Sequence, residues 1–206
     1  VTPEKLEEGM AMFIPGGVPH VIENMGRQTP AVLLDAFVPM GPERVFRDPT
    51  DPAGRAAFEV IRDGGGAAAP GAPAPWVVAN AAKVEPIAIA GGKAHVRKLL
   101  TPELTHSEAA YLGILEADPG TEIPRHLHPI SAEILYAVTG TGLLNIGLEP
   151  VPFGPDTAIH IPENQPHSMM INGTDKAFMI QLFAPAGPEQ RYVPTGSGPK
   201  PTKGTP

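Results

Sequence analysis

The chain has 206 residues, 42% of them hydrophobic and 18% charged, with a formal net charge of −7 at neutral pH. That balance can fill a core, and it argues against sequence-independent nucleic-acid binding, which needs basic patches. The lack of cysteine excludes disulfides, thiol nucleophiles and thiolate metal sites, and no run approaches the ~18 apolar residues of a membrane span. No signal-peptide pattern is recognised, and the composition fits cytoplasm and periplasm equally.

With 23 Gly and 27 Pro, the chain is punctuated often, which favours many short strands over long helices. The first segment, 1–48, carries Gly9-Met-Ala-Met-Phe-Ile-Pro15-Gly-Gly17-Val-Pro19-His20-Val-Ile-Glu-Asn24. A related run returns as Pro162-Glu-Asn164-Gln-Pro166-His167. Pro15 and Pro162 stand 147 positions apart, as do His20 and His167. Phe37 and Phe183, and Glu43 and Glu189, stand 146 apart, one deletion away. A repeat of this length points to duplicated domains rather than a solenoid. Residues 49–75 separate the copies. Their Gly/Ala/Pro-rich stretch from Arg62 to Pro75 predicts a flexible or extended linker, and Pro52–Ile61 predicts one short helix before it. The tail, 195–206, is again Pro/Gly-rich and is expected to be disordered.

Between 76 and 194 the reading is β throughout. Strands are expected within Trp76–Val84 and over His95–Leu100, Ala109–Ala117, Thr121–His128, Glu133–Thr139, Gly142–Ile146, Ala158–Ile161, His167–Ile171 and Ala177–Phe183. Short, evenly spaced strands predict an all-β sandwich or barrel. His126 and His128 are separated by one residue, so on a strand both imidazoles point to one face. A turn near Pro129 would return the next strand antiparallel and bring Glu133 beside them. Two nitrogens and a carboxylate oxygen suit a borderline divalent metal, and His167 would add a third nitrogen. Alternation from Glu133 places Leu135 inward, and alternation from His167 does the same for Met169 and Ile171. Phe178 and Ile180 share a face of their strand and are assigned to the same apolar pocket. Tyr111 is the one extra proton donor expected there. His160, between apolar neighbours, is expected to face outward, and His20 to be a structural histidine.

These residues resemble the cupin superfamily. Its first motif is matched in spacing by Gly120, His126, His128, Glu133 and Gly140. Its second is matched fully by Gly9–Asn24 and, with departures, around His167. The departures are Asn164 in place of Gly, Asp156 at the opening Gly position, and Asn172 one residue late; they touch turns rather than the ligand. The resemblance implies a double-stranded β-helix (jelly-roll) over 76–194, with one divalent transition metal (Fe, Mn, Ni, Cu, Co or Zn) held by His126, His128, Glu133 and His167. It implies a metal-dependent enzyme, dioxygenase-like, acting on a small, largely apolar, oxygen-chelating substrate, or else a non-catalytic ligand-binding or storage barrel. Residues 1–48 correspond to the second half of an N-terminal cupin. A homo-oligomer, or a second chain completing that repeat, is the expected partner.

Overall fold

The computed structural model describes residues 4–26, 28–40, 43–53 and 76–194. They fall into two compact units, Val1–Leu6 with Phe13–Val77, and Glu7–Met12 with Val78–Pro206. The predicted linker and short helix lie, from residue 54 to residue 75, outside the described residues, and so does the tail 195–206.

In the first unit, helix α1 (Arg44–Arg47) brings the Phe46 ring to 6.5 Å from Phe37. The two-stranded sheet of β1 (Met10–Phe13) and β2 (Val77–Asn80) belongs, but for Phe13 and Val77, to the second unit. Among the described residues of 14–53 no further strand forms. Large apolar side chains in that stretch stay open to solvent, with Val21 80% and Val32 94% exposed.

The second unit carries two larger antiparallel sheets. One has six strands: β3 (Ile87–Ile89), β4 (Ala94–Leu100), β5 (Tyr111–Ala117), β7 (Ala132–Thr139), β10 (Thr157–Ile161) and β12 (Ala177–Ala184), ordered β10-β7-β12-β5-β4-β3. The other has four: β6 (Glu122–His126), β8 (Gly142–Ile146), β9 (Glu149–Phe153) and β11 (His167–Ile171), ordered β6-β11-β8-β9. A one-turn helix α2 (Pro102–Thr105) links β4 to β5, with Pro at its first position, where the missing N–H costs nothing. No helix among the described residues is long and apolar enough to cross a membrane.

The strand sequences explain which faces meet. In β7, Glu133, Leu135 and Ala137 are buried while Ile134 and Val138 are exposed, the period of two that a one-faced strand requires. β12 buries Ala177, Met179, Gln181 and Phe183 on one face. Ala177 and Met179 join Val96, Leu115, Leu144, Phe153, Ile159, Ile161 and Ile171 in an apolar core. Each fully buried aliphatic side chain contributes about 1.5–3 kcal/mol relative to exposure. The tight turns after β7 and before β6 use Gly140 at φ 81° and Gly120 at φ 74°, and Asn164 takes the left-handed turn at φ 57°.

Two expected features differ. β6 and β7 do not pair: β6 pairs with β11, and β7 lies in the other sheet, so Glu133 approaches the histidines from the opposite side. β6 also ends at His126, before His128. Pro129 has no N–H to extend a ladder, and the His128 carbonyl accepts from Asn164 N at 2.6 Å. β3 and β9 were not expected, and both are sheet-edge strands. β9 contains Pro150 and Pro152, which an edge tolerates.

Candidate metal centre

His126 and His167 sit directly opposite each other in the β6–β11 register. The chain past His126 turns His128 back to the same point. Ring centroids are 4.2 Å apart for His126–His167, 5.1 Å for His126–His128 and 5.0 Å for His128–His167. Glu133, 4% exposed, reaches in from β7. Its Oε2 lies 3.2 Å from His167 Nε2 and 3.7 Å from His128 Nδ1. One donor atom from each of the four residues falls within 4.8 Å of the others. That is near the roughly 4.2 Å span of donors across one transition ion bound at about 2.1 Å.

The hydrogen bonds set the tautomers. His126 Nδ1 lies 2.8 Å from the Pro124 carbonyl, and His167 Nδ1 lies 2.9 Å from the Gln165 carbonyl. A carbonyl only accepts, so each Nδ1 carries the proton and each Nε2 presents a lone pair. His167 Nε2 is buried and has no hydrogen-bond partner. It therefore faces the Glu133 carboxylate lone pair against lone pair, at 3.2 Å. Two buried acceptors in that arrangement need a cation or a proton between them, and the donor set suits a divalent transition metal.

The electrostatics agree. Burial pushes His128 down to about 4, with Glu133 opposing. Burial also lowers His126. At His167 burial acts downward, but the adjacent Glu133 carboxylate and the Gln165 carbonyl outweigh it and raise the pKa. Two of the three imidazoles are thus held neutral, the state a metal ligand requires.

The cluster opens into a cavity of about 190 Å³ whose wall includes Ile123, Leu115, Leu135, Leu144 and Met169. Leu135 and Met169 are where alternation places them. Ile171 lies deeper, fully buried in the core below the cavity. Phe178 and Ile180 do not line it: they alternate with Met179 and Gln181 on β12 and take the opposite face. Tyr111 does not line it either. Its ring stacks on Phe183 at 5.5 Å, Phe183 packs edge-on against His128 at 5.0 Å, and burial pushes the Tyr111 hydroxyl pKa up. His160 is exposed, as expected.

Three polar wall residues escape a sequence reading. Gln181 Nε2 donates to Glu133 Oε1 at 2.7 Å, and Tyr192 Oη donates to Gln181 Oε1 at 3.2 Å. Arg191 closes the rim beside Pro188. The one signal available was Gln181 itself, a lone polar residue inside the apolar run of β12. Arg191 ends, and Tyr192 follows, a 3-10 turn (Pro188–Arg191) whose position no periodicity encodes.

An antiparallel jelly roll with a three-histidine, one-glutamate cluster between its sheets defines a cupin. A Cupin domain profile matches residues 113–183, and the chain belongs to the cupin family. It is 32% identical over 137 residues to the tetracenomycin polyketide synthase protein TcmJ of Streptomyces glaucescens, covering 63% of this chain and 90% of that protein. It is 30% identical over 112 residues to the polyketide synthase CurC of Streptomyces cyaneus, covering 54% and 71%. The crystal structure of a predicted oxalate decarboxylase from Thermotoga maritima superposes with a TM-score of 0.50 at 20% identity, over 53% of this chain and 100% of that one, a likeness of fold.

Proposed function

We propose that this cupin is a metal-dependent enzyme acting on a β-dicarbonyl intermediate of polyketide synthesis. The observation that carries the reading is the convergence of His126, His128, Glu133 and His167 in an apolar cavity, in a chain whose relatives are polyketide synthase proteins. Imidazole and carboxylate donors favour Fe, Mn, Ni, Co, Cu or Zn over Mg or Ca. When bound, such an ion supplies Lewis acidity and leaves room for paired substrate oxygens. The surrounding side chains would do the rest. Leu115, Ile123, Leu135, Leu144 and Met169 exclude water from the substrate. Outside the cluster, the described wall residues include no carboxylate and no further histidine. Burial raises the Tyr192 pKa, so its hydroxyl stays protonated, and its one proton is given to Gln181 Oε1 rather than to substrate. That equipment suits a carbon acid already activated by two flanking carbonyls. The carbon between them loses a proton and attacks a ketone further along the same chain. The new alkoxide oxygen takes up a proton in its place, and that hydroxyl then leaves with the carbon's remaining proton as water, giving the conjugated ring. No oxidant is consumed.

The ligand set also favours a second reading, dioxygenase-like cleavage of the same enol. A synthetic poly-β-ketone incubated with metal-loaded protein separates the two, with product followed by mass spectrometry and oxygen by electrode. Metal-dependent loss of water without oxygen uptake is expected. Stoichiometric oxygen uptake would replace ring closure with oxygenation. Binding without conversion would leave a ligand-holding barrel.

We further infer that residues 9–43 are the second half of another cupin repeat. Backbone geometry supports this. Gly9 (φ 79°) and Asp156 (φ 62°) share a left-handed turn, as do Gly17 (φ 79°) and Asn164 (φ 57°). His20 Nδ1 lies 2.9 Å from the Val18 carbonyl, as His167 Nδ1 does from Gln165. The exposed Val21, Ile22, Val32 and Leu33 are side chains that a whole repeat would bury, against preceding residues, a second copy or another chain. A monodisperse monomer by light scattering, with residues 1–48 rapidly cleaved by protease, would count against this assembly.

A further inference from the structure

We propose that Gln181 and Tyr192 are positioning residues that hold Glu133 to a single metal-facing oxygen. The proposal rests on the metal-binding reading of the cluster. The two Glu133 oxygens have different surroundings. Oε2 faces His167 and His128, while Oε1 accepts the Gln181 amide at 2.7 Å. A carboxylate only accepts, and this one is 4% exposed, so no solvent donor substitutes for Gln181. With Oε1 held by the Gln181 amide, Oε2 is the oxygen turned to the histidines.

Gln181 is itself fixed at both ends. Its backbone lies in β12, opposite Gly113 of β5 and Leu135 of β7, with ladders on both sides. Its side chain is 3% exposed. The amide has two orientations, and only one points N–H at Glu133. The reverse would set the amide oxygen against a carboxylate oxygen. Tyr192 selects the productive orientation, because its hydroxyl donates to Gln181 Oε1 at 3.2 Å. Tyr192 follows the 3-10 turn after β12, so the segment that rims the cavity is tied to the Glu133 ligand through one amide. Four ligands, each giving one atom, leave two coordination positions of an octahedral ion for a chelating substrate; a two-oxygen Glu133 would take one of them.

The test is a double-variant cycle on the full chain, read by Co(II) titration and by the visible spectrum of the Co(II) form. Gln181→Leu is expected to weaken Co(II) about 10–100-fold, as loss of a group orienting a ligand does, and to change the spectrum. Tyr192→Phe is expected to weaken it less, with a spectral change of the same kind. In the Gln181→Leu background Tyr192→Phe adds nothing, because it acts through the amide. Thermal melts of the metal-free proteins establish folding; if Gln181→Leu does not fold, the Tyr192→Phe spectrum carries the test. Wild-type affinity and spectrum in Gln181→Leu would overturn the proposal while leaving the metal reading standing. An undiminished Tyr192→Phe effect in the Gln181→Leu background would overturn the relay through the amide. A wild-type protein that takes up no Co(II) would overturn the metal reading and this proposal together.

Discussion

Gly140 ends β7 at φ 81°, and a Cβ added there would lie 2.5 Å from Ala177 Cα, 2.8 Å from Ala177 Cβ and 2.9 Å from Ala177 N. None of these atoms belongs to a side chain that can swing aside. Gly140→Ala therefore costs about 1–2 kcal/mol for the left-handed backbone, and about 1–3 kcal/mol for overpacking against a fixed strand. The total of about 2–5 kcal/mol corresponds to a Tm loss of roughly 8–20 °C for a domain of this size. Gly120 is the natural control. It has a similar φ of 74°, but no heavy atom lies within 4 Å of an added Cβ. Gly120→Ala should cost only the backbone part, about 1–2 kcal/mol, or roughly 4–8 °C. Scanning calorimetry of both variants, metal-free to remove linkage to ligand binding, reads the difference directly. Equal Tm losses for the two would refute the argument that close strand packing, rather than backbone conformation alone, demands glycine at 140.

Leu144→Ala removes a side chain 1% exposed that belongs to both core and cavity wall. It should cost about 2–5 kcal/mol by urea denaturation, and a loss under 1 kcal/mol would show that the site collapses around the change. The pH dependence of the metal-free protein has a definite sign. His128, pushed down to about 4 from 6.5, binds its proton more readily when unfolded, so its stabilising contribution is complete above 6.5 and is lost as pH falls through about 4. His126 acts in the same direction. His167 is raised, so its contribution is present below 6.5 and lost as pH rises through its folded pKa, which partly offsets the other two. Between about pH 7 and pH 5 the His128 contribution falls by about 1–2 kcal/mol, and His128→Gln should flatten that slope in denaturant titrations. A wild-type slope unchanged in the variant would contradict it.

The ligand cluster was legible partly through short-range rules. One residue between His126 and His128 sets those two side chains locally, while His167 meets them through the β6–β11 register and was legible because its surroundings resemble the second cupin motif. Sheet membership is a long-range outcome, so the crossing of β7 into the other sheet could not be read. Alternation in β12 defines two faces without naming the inner one. In Ala-Phe-Met-Ile-Gln-Leu-Phe-Ala every neighbour is apolar, and Phe178 and Ile180 look as suited to a pocket as Met179 and Phe183. The deciding residue is Gln181, which is buried because Glu133 and Tyr192 satisfy its amide. β9 was hidden by Pro150 and Pro152, tolerable only because the strand borders β8 on one side. Tyr111 sits on the predicted inward face, but Phe183 packs between its level and the histidines' level, a matter of side-chain depth that a period of two does not encode.

The most direct test of the account is elemental analysis of the purified chain beside a His167→Ala variant, each also reconstituted after chelation. About one equivalent of Fe, Mn, Ni, Cu, Co or Zn per wild-type chain, lost in the variant, is the expected result. Wild-type protein that stays metal-free after reconstitution with each of these ions would contradict the account.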